Sequence, residues 1–357
     1  MALHPVSRHL RRGVAVSLAW VAVLCLSAYA ESPSSAHVEP AGSSPWPIRA
    51  VAIQTPRNRD VINMQAASMN GDVIVGIAAN LLRGTSTAVR WTAQTGIQNV
   101  GIPDAKISRA FNVSADGSVV SGAVISSDGK SQGFLLSKRK GLQKFGSDWH
   151  QVETSGISND GRVVAGTFWH RDYDPQAFYW TEREGVQSLA DDRYFQAMKL
   201  TDTAALGISR DGSTIVGWAA DEKRDYAIAF RWTKSTGVKF IREVGEGDGL
   251  SLWMGVSSNG AVIVGNANDG TYRAGNIKAF RWTQEEGPKT LIPESSSSMA
   301  LGMSSDGSKV FGTYNVNNQT HYFVWTKDGG VHDAGIADDR YQYLVTDQAI
   351  IRIEARD

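Results

Sequence analysis

The 357-residue chain holds a single cysteine, Cys25. No disulfide framework and no thiolate-bound metal can be built from one thiol. Excess charge is missing as well, since 36 Lys and Arg face 36 Asp and Glu. Such a balance supplies no field to draw the protein onto nucleic acid or an anionic membrane. After residue 26 no apolar run is long enough to cross a bilayer. Walker-type, Gly-x-Ser-x-Gly and His-Glu-x-x-His phrases do not occur. The common phosphate-loop, serine-hydrolase and zinc-protease readings fall with them. His37, His150, His170, His321 and His332 are too scattered for zinc-ligand spacing. No catalytic residue, metal ligand or cofactor is therefore assigned.

The first thirty residues read as a secretory signal. His4, Arg8, Arg11 and Arg12 precede the apolar run Val14 to Leu26, and Ala28-Tyr29-Ala30 offers small residues for cleavage before Glu31. Cys25 would leave with that segment. So would three Arg and no acid, leaving three more acids than bases. Residues 31–47 are rich in Ser and Pro and read as a linker. The expected location is outside the cytoplasm, periplasmic or extracellular.

What fills the rest is repetition. The phrase Ser-x-Asp/Asn-Gly-x-x-x-x-Gly occurs six times, beginning at Ser68, Ser114, Ser158, Ser209, Ser257 and Ser304. Its turn glycines lie 46, 44, 51, 48 and 47 residues apart, a period that marks an array of like supersecondary units. An Asx-Gly pair before a β-branched run predicts a two-residue hairpin turn with both central residues at positive φ. After a variable loop comes a second phrase, Ala-Phe-x-Trp-Thr, as in Ala177-Phe178-Tyr179-Trp180-Thr181 and Ala229-Phe230-Arg231-Trp232-Thr233. Five residues beyond each Trp stands another Gly, at 96, 185, 237, 287 and 330. Unit two departs from this pattern with Gly133-Phe134-Leu135-Leu136-Ser137, followed by Gly141.

Each unit thus predicts four antiparallel strands, a to d, in the length of one propeller blade. The expected fold is an all-β propeller over 48–357 with six four-stranded blades, or seven if the terminal fragments build another. Ala50 to Ile53 stands where a d strand would lie, and Ala349 to Ile353 reads as an a strand with no unit behind it. Strands left over at both ends suit a ring that joins first blade to last.

The paired phrases resemble the HAF-type extracellular repeat family over roughly 60–335. Asn70 and Asn259 replace Asp, and unit two loses its Trp. The resemblance implies a bacterial, exported, repeat-built protein, some members being surface-associated. It brings no agreed activity and no site residues.

Alternation puts the short a–b and c–d turns on one rim and the variable b–c and d–a loops on the other. Function concentrates on variable loops held by a rigid scaffold. The candidate ligand-binding set on that loop face is Trp149, His150, Trp169, His170, Asp172, Tyr173, Asp191, Arg193, Tyr194, Trp253, Tyr272, Arg340 and Tyr341. Aromatics beside Arg and Asp suit stacking on a sugar or anchoring a peptide. The expected function is a non-catalytic recognition or scaffold module for a carbohydrate, an envelope component or a protein, with no nucleic-acid partner. The alternative is a propeller hydrolase or lyase acting on a glycan through carboxylates such as Asp172 or Asp191.

Overall fold

The six Ser-x-Asx-Gly phrases all close hairpins in the same way. In unit two, Ser114 N donates to Val119 O at 2.9 Å and Gly117 N to Ser114 O at 2.9 Å. Ser114 Oγ donates to Asp116 Oδ1 at 2.6 Å and accepts from Val119 N at 3.0 Å. Gly117 is left-handed at φ +73°, whereas Asp116 is not. The expected turn with two positive-φ residues is corrected: the loop is longer, only the glycine is left-handed, and the acid serves as a hydrogen-bond hub. A pair with both residues at positive φ does occur, at Asn317 (φ 50°) and Asn318 (φ 62°) on the b–c hairpin of unit six.

A computed structural model describes residues 44–54, 61–170, 174–200, 202–221, 226–241, 254–268, 277–338 and 340–356. The signal segment lies outside them. Strand β1 (Ile48–Gln54) precedes the repeats. Unit one is β2 (Val61–Ala67), β3 (Ile74–Asn80), β4 (Thr85–Thr92) and β5 (Gly96–Asn99); unit two is β6 (Ala105–Val113), β7 (Val119–Ser126), β8 (Ser131–Ser137) and β9 (Gly141–Trp149). Unit three is β10 (Gln151–Ile157), β11 (Val163–Trp169), β12 (Pro175–Thr181) and β13 (Gly185–Ser188), followed by helix α1 (Arg193–Met198). Unit four is β14 (Asp202–Ile208), β15 (Thr214–Asp221), β16 (Tyr226–Thr233) and β17 (Gly237–Phe240); unit five is β18 (Met254–Val256), β19 (Val262–Asn268), β20 (Ile277–Thr283) and β21 (Gly287–Thr290). Unit six is β22 (Ser298–Met303), β23 (Lys309–Val316), β24 (Gln319–Thr326) and β25 (Gly330–Ile336), and β26 (Gln342–Val345) and β27 (Ile350–Arg356) end the chain.

The architecture is an all-β propeller. Neighbouring inner strands touch from β2 through β6, β10, β14 and β18, unit five meets β22 through β19 and β20, and β22 reaches β26, which returns to β2. Units one and two share one sheet through a single parallel bridge, Ser86 with Ile107, and the other four units form separate four-stranded sheets. Beside the six units, the terminal fragments build a further sheet, as the seven-blade alternative expected, but with three strands, in the order β1-β27-β26.

That sheet corrects two strand assignments. Thr346 N donates to Ala349 O at 3.0 Å, so Thr346 to Ala349 is a worn seventh copy of the turn phrase without its glycine. Ile350–Arg356 is consequently a b strand, and β26 is the inner a strand. Strand β1 does not lie where a d strand would. It pairs directly with β27, in parallel, from Ile48↔Ile350 to Gln54↔Arg356.

The linker expectation also overruns. Trp46 is fully buried among Phe311, Tyr322, Val324 and Ile350, so the ring begins before residue 48.

The turns lock consecutive units together. A Cβ on Gly117 would meet Val73 of the unit before it at 2.5 Å, one on Gly161 would meet Val119 at 2.6 Å, and one on Gly71 would meet Ile351 at 2.7 Å. At the turn rim Asn159 N donates to Arg210 O, Asp211 N to Ser258 O, and Ser258 N to Ser305 O. Ser305 N in turn donates to Asp347 Oδ1 at 2.7 Å, and Arg210 lies 3.8 Å from the same oxygen, linking unit four to the terminal sheet.

These turns make the ring sensitive to acid. The Ser114 hydroxyl and the Ser118 N–H hold the Asp116 carboxyl below its usual range. Burial pushes Asp211 and Asp306 up, but the Ser209 and Ser304 hydroxyls and neighbouring N–H groups outweigh it and leave both lowered. A carboxylate with a depressed folded pKa stabilises the fold above its unfolded pKa, and that contribution is lost as pH falls through the folded value. The triple variant Asp116→Asn, Asp211→Asn, Asp306→Asn should fold, because Asn70 and Asn259 already make the same bonds with Ser68 and Ser257. Its melting temperature should fall less than that of the natural protein between about pH 5 and pH 2. Superimposable pH profiles would show that the turn carboxylates do not govern acid stability.

Candidate functional site

Of the candidate loop residues, Trp149, His150, Trp169 and His170 are brought together at one end of unit three. Strand β9 is nine residues long and ends on Trp149, which pairs with Ser131. The Trp149 ring stacks on Phe168 at 4.8 Å with 7° between planes, and meets Phe178 at 5.3 Å. Trp149 is thus part of the packing between units two and three. His150 N donates to Trp169 O at 2.8 Å, and His170 sets its edge against Phe168 at 5.1 Å. Trp149→Ala should cost about 2 kcal/mol, the share of a half-buried aromatic, while His170→Ala should stay within about 0.5 kcal/mol. Urea unfolding measures both, and a neutral Trp149→Ala would return that ring to the ligand-binding set.

The remaining candidates stand on other connections. Asp191 is exposed. Its neighbour Asp192 caps α1, accepting from Tyr194 N at 3.0 Å and from Val238 N of unit four at 3.1 Å. That second acceptance ties the d–a loop to the next blade. The Arg193 guanidinium lies over the Tyr194 ring at 5.0 Å. After unit six, Arg340 forks onto Asp338 at 2.9 and 2.6 Å, and Tyr341 lies between Arg340 and Arg352. Asp172, Tyr173, Trp253 and Tyr272 lie outside the described residues. Among the described residues no three His, Cys, Asp or Glu side chains gather as metal ligands.

A cleft opens at the turn rim, between units two and three. It has a volume of 540 Å³, within the usual range for ligand sites. Leu135 of unit two and Trp180 of unit three both line it. At the position of Leu135, unit three has Tyr179, whose ring lies 5.0 Å from Trp232 of the next unit. Unit four has Arg231, which donates to Gly260 O of unit five at 3.4 Å. Unit five has Arg281, 5.6 Å over Trp325 of unit six. Each of these long side chains fills the seam to the next blade. Leu135 is shorter and reaches less far; Val324 of unit six is shorter still, but Trp46 and Ile350 pack against it.

Val119, Leu135, Val163 and Trp180 give the cleft an apolar floor, and cations ring its mouth. Lys138, Arg139 and Lys140 come from the c–d turn of unit two, with Arg162 and Arg183 from unit three. Only Asp160 and Glu182 oppose them. Lys140 pairs with Glu182 across the seam, and Gln143 Nε2 donates to the other Glu182 oxygen at 3.3 Å. The Lys140 ammonium holds the Glu182 carboxyl below its usual range. Five cations against two acids make this a local positive site in a chain of zero formal charge. Chemically it can accept a group with an apolar end and an anionic end.

Sequence reasoning passed over this site because short, regular turns read as scaffold. A signal was present nonetheless. Lys138-Arg139-Lys140 is a run of three cations in the c–d turn of unit two.

No protein-family model matches the chain, and no curated protein matches it. Solved structures do. The β-propeller domain of the trilobed protease from Pyrococcus furiosus, described with an open velcro topology, aligns at TM-score 0.56 and 13% identity, over 80% of this chain and 87% of that one. An oligogalacturonate lyase in complex with manganese aligns at 0.52 and 11%, over 80% and 86%. TolB from Acinetobacter baumannii aligns at 0.49 and 14%, over 81% and 68%. At such identities the likenesses to the first two establish the fold and nothing more, and the chain is a β-propeller similar to both.

Proposed function

We propose that the protein is an exported, non-catalytic recognition or scaffold module, and that the cleft between units two and three is its binding site. One observation carries the reading: the cleft sets a cationic mouth over an apolar floor. The filled seams after units three, four and five give rigidity to the ring that carries it. The resemblance of the paired phrases to HAF-type repeats, with the signal-like start, supports export. The expected partner is an envelope component, a carbohydrate or a protein. On the loop rim, Leu81 and Leu82 stand 72% and 83% exposed at the tip of the β3–β4 hairpin, which favours a protein contact there as a second reading.

The test is a thermal-shift panel of peptides, neutral and acidic sugars and envelope extracts on the natural protein and on Leu135→Tyr. Tyr at this position restores what unit three has and fills the seam. A ligand should raise the melting temperature of the natural protein by mass action, and Leu135→Tyr should lose the rise. Release of a product from a glycan, abolished by Asp191→Asn, would replace this reading with the hydrolase one.

A further inference from the structure

We infer that the occupant of the cleft is an acidic peptide segment anchored by one large apolar side chain; this rests on the reading that the cleft is a binding site. Four features select that class.

The first is the floor. Leu135 is 3% exposed and Trp180 7% exposed, so no aromatic face is presented for a sugar ring or a base to stack on. One face of Trp180 is stacked on Phe145 at 5.1 Å, and Val119, Leu135 and Val163 add aliphatic surface, which suits a Phe or Leu side chain seated in a desolvated pocket. The second is charge. Lys138, Arg139 and Arg183 are exposed at the mouth, set to meet carboxylates on either side of the anchor. The third is that the acids of the cleft are already engaged. Glu182 is held by Lys140 and Gln143, and Asp160 accepts from Ser158 Oγ and Arg162 N. What the mouth offers a ligand is therefore cationic. The fourth is rigidity. The Lys140–Glu182 strut and the interlocked turn Gly161 on Val119 hold both walls in place, so little ordering cost falls on the protein when it binds.

Fluorescence anisotropy with a labelled synthetic peptide, Asp-Glu-Phe-Glu-Asp, tests this on the full chain. The natural protein should bind it, more weakly as salt rises, because the ion pairs at the mouth are solvent-exposed. Replacing the central Phe by Ala should weaken binding about thirtyfold, the worth of one buried aromatic side chain. Leu135→Tyr should lose binding by blocking the floor. Arg139→Glu with Arg183→Glu should lose it by reversing the mouth, at exposed positions where folding is not at stake. A uronic-acid oligomer, or vesicles of anionic phospholipid, bound in place of the peptide and lost in Leu135→Tyr would overturn the peptide class while keeping the cleft. Equal binding of the peptide by natural protein and both variants, with all three melting cooperatively, would overturn the peptide and the cleft together.

Discussion

Removal of residues 348–357 is expected to leave no folded ring. Those residues supply β27, which pairs with both β1 and β26. Without it β1 loses its ladder partner and β26 loses its own, so the three-stranded sheet dissolves. Two hydrophobic clusters go with it. Ile351 and Ile353 pack with Val51, Ile53, Met64, Ile74 and Trp91 where the terminal sheet meets unit one. Ile350 packs with Trp46, Phe311, Tyr322 and Val324 where it meets unit six. Three buried isoleucines, at about 1.5–3 kcal/mol each, approach the whole net stability of a domain, about 5–15 kcal/mol. Open strand edges on units one and six would add a tendency to associate. Circular dichroism melts and light scattering check this: the truncated chain should show no cooperative transition and should aggregate. A melt like that of the full chain would make the terminal sheet an appendage rather than the closure.

The second large effect is expected of Gly217→Ala, at more than about 3 kcal/mol. The second glycine of the repeated phrase stands opposite a register shift in the inner strand, between Ala205 and Gly207 in unit four. There the Ala204 carbonyl is turned onto the glycine. A Cβ on Gly217 would lie 1.9 Å from Ala204 O and 2.9 Å from the Phe230 ring, which is fully buried. Backbone on one side and a core aromatic on the other leave nothing free to yield. The same arrangement recurs at Gly122 under Phe134 and at Gly312 under Phe323, whereas in unit one Gly76 pairs with Val89 and is crowded by backbone alone. Gly185→Ala is the control. Nothing lies near its Cβ, but its φ of +67° is left-handed, so it should cost only about 1–2 kcal/mol. Equal costs in urea unfolding would show that close approach is not what holds the second glycine in place.

Much of this architecture was legible in advance. The period of the turn glycines counted the units, and the Ser, the Asx and the two glycines each have a local cause that recurs six times. What sequence misjudged were the places where a local rule met a distant partner. Thr346 to Ala349 was missed as a turn because it lacks the glycine, and its geometry is kept by Ser305 bonding to Asp347 across the rim. Trp46 was placed in a linker by its Ser and Pro neighbours, yet it is buried by strands some 270 residues further on. Nothing in the residues around Asp192 foretold that it would be held by Val238 N of the next unit.

The candidate site divides along the same line. The three consecutive cations of unit two stood in the sequence unremarked, although a run is a property of adjacent residues. That Leu135 reaches less far across its seam could be known only once Tyr179, Arg231 and Arg281 were seen reaching into the neighbouring blades. Repetition along a chain records what each unit does for itself, namely its turns, its strands and its bulge. The space between units belongs to two units at once, so its shape, charge and emptiness were decided only by the ring.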